Sequence, residues 1–137
     1  MTRPGAVVPR YPVEVRVRAD LGELPVLRAM AETVALLGGF TLDDAADVKL
    51  AVDEVCSALI GDALPGADLS CRLHSTAGAL RVRAWTDTAS NRHPDERGFV
   101  WHVLRAITDA IDVTREPLAE GGFRTRVEFV RSRGGDA

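Results

Sequence analysis

The chain has 137 residues, 46% apolar and 27% charged, with a net charge of −3. That length suits a single domain with a core of its own, and the composition excludes a wholly disordered chain. The charge gives no basic footprint for nucleic acid, and no run approaches the roughly 18 apolar residues of a membrane-crossing helix.

Residues 1–11, with Pro4, Gly5 and Pro9, read as a loose arm. No apolar stretch of a secretory leader follows Met1, which points to a cytoplasmic protein. Val13, Val15 and Val17 alternate with charged residues, the period of a half-buried strand. Asp20 is placed to cap a helix that runs to about Leu37 and stops at Gly38-Gly39, with Leu24, Leu27, Ala31, Val34 and Ala35 as its apolar stripe. Thr41-Leu42-Asp43-Asp44 opens a second helix. Its face is Ala45, Val48, Val52, Val55 and Leu59, and it ends near Ala63, before Pro65-Gly66.

Leu69, Cys71 and Leu73 alternate with polar neighbours, as do Leu80, Val82 and Ala84, and Gly78 lies between the runs; this predicts a hairpin. Residues 86–97 show no apolar period and read as a long loop. A third helix is expected from about Gly98 to Ala110 and a short strand over 111–115. A turn over 117–122 and a last strand through Thr125, Val127 and Phe129 follow, and residues 132–137 read as frayed. The sum is one domain over 12–131. It is an α/β two-layer sandwich, with about three helices on one face of a mixed, mostly antiparallel sheet of about five strands. Cys56 and Cys71 lack metal spacing and read as reduced, partly buried thiols; no metal site is expected.

Chemistry gathers at few places. Glu54, Ala58 and Gly61 share one edge of the second helix, beside its apolar stripe. Glu54 there is either a solvated rim acid or part of a site. Asn91, Arg92, His93, Arg97 and His102 flank the start of the third helix, a natural place for an anion. Asp53, Glu54 and Asp87 could accept from hydroxyls, and Trp85 or Trp101 could stack on a ring. Together with Gly98, that set would suit a sugar phosphate; otherwise the loop is merely solvated and arginine-rich.

The run from Asp47 to Ile60 (DVKLAVDEVCSALI), the segment Gly98–Ile107 (GFVWHVLRAI) and the ending Gly121–Val127 (GGFRTRV) resemble, in order and spacing, the RsbW-type anti-sigma factors of the GHKL ATPase/kinase superfamily. Within it, they look most like an actinobacterial UsfX-like branch. The resemblance spans roughly Val13 to Arg131 and implies a GHKL (Bergerat-like) sandwich. It also implies binding of an alternative sigma factor in competition with a STAS-domain anti-anti-sigma protein, homodimerisation, and serine-kinase activity with Glu54 as the base. A first-helix arginine that contacts both partners falls on Arg28.

The kinase motifs depart from the pattern. The family's magnesium-binding asparagine, four residues after the glutamate, is Ala58 here. The adenine-binding aspartate falls on Thr86, or on Asp87 with a one-residue slip, and its glycines are absent. Val100 replaces the second glycine at the phosphate-binding helix, and Gly122-Phe123 stands for the usual Gly-Thr. Without the metal ligand nothing neutralises a transferring phosphate, so no ATP or magnesium cofactor is expected. The function expected is sigma-factor sequestration without catalysis. An active serine kinase and a sensor of an anionic metabolite are the alternatives.

Overall fold

The structure, a computed structural model, describes residues 12–76, 78–90 and 99–134. Strand β1 (Val13–Arg18) turns its valines toward the core. The Asp20 carboxylate accepts from the Gly22 N–H at 2.9 Å and caps a short 3-10 turn, Leu21–Glu23. Helix α1 (Leu24–Leu37) follows, with Pro25 in its first turn, where a missing N–H costs nothing. Thr41 Oγ1 accepts from the Asp44 N–H at 3.1 Å to start α2 (Leu42–Gly61). β2 (Asp68–Thr76) and β3 (Ala79–Thr88) form the expected hairpin, turned by Gly78 at φ 77°. The remaining elements are α3 (Phe99–Ile107), β4 (Ala110–Pro117) and β5 (Phe123–Ser132).

The five strands lie in the order β1-β2-β3-β5-β4. Every pairing among them is antiparallel, so the sheet expected to be mixed but mostly antiparallel is wholly so. β3 and β4 point the same way, but β5 fits between them, so the crossover through α3 creates no parallel pair. The stripes of α1 and α2 pack on one sheet face: Leu27, Val48, Val52, Leu69, Leu73, Leu80 and Phe129 are all sealed from solvent. The expected two-layer sandwich is the architecture observed.

Four of the boundaries that differ from the sequence reading have a visible cause. α2 ends at Gly61, because the next residues join β3 instead: Ala63 bridges Thr88, and the Leu64 N–H donates to the Asp87 carbonyl at 2.8 Å. Residues 86–88 therefore belong to β3 and not to a loop, held by pairing with Thr125, Arg124 and Phe123. α3 stops at Ile107, and the Asp109 N–H already bonds the Val130 carbonyl of β5 at 2.8 Å. Residues 132–134 are not frayed: Ser132 pairs with Ala79, and the Gly134 N–H donates to Asp44 Oδ2 at 3.0 Å.

Candidate functional site

The outer edge of α2 and the upper ends of β3 and β5 define the region of interest. Helical spacing puts Glu54 half-buried, with Ala58 and Gly61 exposed beyond it. Ala58 therefore brings a methyl group, with no donor or acceptor, to the open edge. Past the helix, Asp62 binds the end of β3: its Oδ2 accepts from Ser90 Oγ at 2.8 Å, and its carbonyl accepts from the Ala89 N–H at 2.9 Å.

The sheet residues facing this edge are hydroxyls already committed to protein partners. Thr86 Oγ1 donates to the Asp68 carbonyl at 2.7 Å. Thr88 Oγ1 and Thr125 Oγ1 lie 2.8 Å apart, both buried. The backbone at Gly122 passes so close that a Cβ there would stand 2.7 Å from the Thr88 carbonyl oxygen, and its φ of 83° also favours glycine. The glycine before Phe123 is thus explained by packing against β3.

Among the described residues, the expected pocket residues are not gathered at one place. β3 alternates, with Ala84, Thr86 and Thr88 toward the helices and Trp85 and Asp87 on the opposite face. Trp85 lies between Ser70 and Arg126 of the flanking strands, and Asp87 pairs with Arg124 at 3.0 Å. Neither can join Glu54 without crossing the sheet, so both leave the predicted ligand set. Asp53 pairs with Arg28 of α1 at 3.6 Å. His102 is exposed on α3, while Trp101 is buried to 6% exposure, its ring 5.7 Å from the Arg105 guanidinium, as a packing residue would be. Asn91, Arg92, His93, Arg97 and Gly98 lie outside the described residues.

Two features escaped the sequence reading. Arg131 sits on the helix-facing register of β5, in step with Val127 and Phe129. There it donates to Asp44, Asp47 and the Ile107 carbonyl. Its phase in the strand was the available signal. On the far sheet face Arg81 and Arg83 hold Glu128 at 2.6 and 2.8 Å. Partial burial pushes that carboxyl's pKa up, but the two guanidiniums outweigh it and hold the group below the usual range. Within the core, Cys56 and Cys71 are free and fully buried. A hydrogen bond with Cys71, then burial, pushes the Cys56 thiol well up. No helix among the described residues is long and apolar enough to cross a membrane.

No protein-family model matches the chain. Over 99 residues, however, it is 34% identical to a curated protein of Mycobacterium tuberculosis, alike in strains H37Rv and CDC 1551 / Oshkosh. It is a relative of the anti-sigma-F factor RsbW. The match takes in 72% of this chain but 59% of the length of RsbW. The identity to RsbW agrees with the resemblance carried by the α2 motif and the terminal hairpin.

Proposed function

We propose that this chain is an anti-sigma factor that sequesters an alternative sigma factor of the stress or development type. A STAS-domain anti-anti-sigma protein competes for it, and neither event depends on phosphate transfer from ATP. The observation that carries the sigma-factor reading is the 34% identity to RsbW. The non-catalytic reading is supported by Ala58, exposed where the resembled kinases have a magnesium ligand, and by Thr86, whose hydroxyl proton is committed to the Asp68 carbonyl. The working unit in this reading is a cytoplasmic homodimer that exchanges partners by competition, which requires only that their affinities differ. Arg28, 42% exposed beside α2, is the residue assigned to both partners.

Affinity capture from the native cell, then titration of the purified sigma factor against the purified chain, tests the first half. A stoichiometric complex that blocks transcription by that sigma factor is expected; a chain that binds no sigma factor overturns the reading. Glu54 keeps its place at the helix edge, so an active serine kinase is the second reading. Incubation with labelled ATP, magnesium and the STAS-domain protein separates the two. Phosphate transfer that disappears in Glu54→Gln establishes the kinase.

A further inference from the structure

We infer that Asp53 is a positioning residue: its carboxylate fixes the Arg28 guanidinium on α1 for an acidic group of the protein partner. This rests on the reading of Arg28 as a partner contact. α1 and α2 run antiparallel, and two ion pairs cross between them one helical turn apart, Arg28–Asp53 at 3.6 Å and Glu32–Lys49 at 3.2 Å. The two pairs differ in what surrounds them. Glu32 and Lys49 are each about two-fifths exposed, a surface pair of small worth. Asp53 is 25% exposed, and its Oδ1 is sealed from solvent with no hydrogen-bond donor among the described residues. A carboxylate oxygen in that state is costly unless a charge offsets it. Arg28 is the cation beside it.

The arrangement leaves Arg28 available. At 3.6 Å the pair is held by charge without a hydrogen bond, and among the described residues no acceptor takes up the guanidinium's N–H donors. A planar fork with unspent donors, held in one place, suits bidentate capture of a carboxylate. The setting matches. The exposed face of α1 and its 3-10 lead-in is largely apolar, with Leu21, Val26, Leu36 and Leu37 in the open, and the acid nearest Arg28 along the helix, Glu32, is paired with Lys49. Arg28 stands at the border of that face. The partner it fits is a protein segment with an apolar stripe and one carboxylate.

The test has two arms. In the free chain, NMR relaxation of the Arg28 Nε–H reports its order: it should be lost in Asp53→Asn and regained in Asp53→Glu, with thermal midpoints measured alongside. Unchanged order of Arg28 in Asp53→Asn overturns the inference whatever partner is found. In the second arm the sigma factor captured by the wild-type chain is titrated against each variant. Asp53→Asn should weaken binding by about tenfold, and Arg28→Ala/Asp53→Asn should bind no more weakly than Arg28→Ala alone. Tighter binding by Asp53→Asn would mean that Asp53 only repels the partner's acid, which overturns the inference. An Arg28→Ala variant that binds as wild type refutes the partner reading of Arg28, and the first arm still judges the positioning.

Discussion

The Arg131 guanidinium near the end of β5 donates to Asp44 Oδ1 on the first turn of α2 at 2.7 Å, joining positions 87 apart in the chain. The same side chain donates to Asp47 Oδ2 at 3.0 Å and to the carbonyl of Ile107, at the end of α3, at 2.8 Å. One group thereby ties the last strand to two helices, at 17% exposure. Arg131→Leu leaves Asp47 Oδ2 and the Ile107 carbonyl without this donor, and leaves Asp44 with the Gly134 N–H alone. A stability loss of about 2–3 kcal/mol is expected in urea unfolding. Amide exchange should quicken first at residues 104–107, whose carbonyl end Arg131 caps.

Thr88 and Thr125 share one buried hydroxyl pair at 2.8 Å. Thr88→Val should cost about 1–2 kcal/mol, because it strands the Thr125 hydroxyl. The double change Thr88→Val/Thr125→Val should cost less than the sum of the single changes, since it removes both polar groups. Chemical denaturation of the four proteins checks this, and strict additivity would dissolve the pair.

The Cys56 thiol, fully buried beside the free Cys71 and pushed up by both, stays protonated at neutral pH. Thiol reagents should label the native chain only at the rate of its opening, and the urea-unfolded chain at once. Cys71→Ser should lower stability by about 1–3 kcal/mol, because a hydroxyl replaces a sulfur fully enclosed by the core.

Glu128 has a lower pKa in the folded chain than the ordinary 4.5, and Asp109 one lower than 3.8, the latter through the Ser132 hydroxyl and N–H. Unfolding in acid therefore takes up protons. The stabilisation is complete above pH 4.5 and is lost as the pH falls through the folded values. Urea midpoints measured from pH 7 to pH 3 should fall less steeply in Glu128→Gln than in the wild type.

Ala58 is exposed inside α2, so Ala58→Asn should cost only the helix-propensity difference, about 0.5–0.7 kcal/mol. On the non-catalytic reading proposed above, the restored amide should still bring no thermal stabilisation by magnesium-ATP, since Thr86 and Val100 stand where the resembled family has its adenine-binding aspartate and second glycine. A clear upward shift of the melting midpoint with magnesium-ATP would reverse the reading of this edge.

Much of the architecture was legible beforehand because burial imposes a period. The stripe of Ala45, Val48, Val52, Val55 and Leu59, and the alternation of Leu80, Val82 and Ala84, each name an element and its buried face. The polar end of β3 was harder. Thr86, Asp87 and Thr88 carry no apolar period, and what keeps them in the strand is β5, about 40 residues later in the chain. α3 was read too long for a similar reason: its end is set by Arg131 and by the Asp109–Val130 bond.

By itself the sequence determined the helices, the strands and their inward faces. It also placed Ala58, a side chain with no donor or acceptor, beyond Glu54 at the edge of the second helix, because side-chain periodicity and chemical type are local properties of the chain. Only the tertiary structure decided that Trp85 and Asp87 face away from Glu54, that Asp53 answers Arg28, and that Arg131 answers Asp44. Those relations depend on which strand lies beside which and how two helices cross, and packing sets them between residues far apart along the backbone.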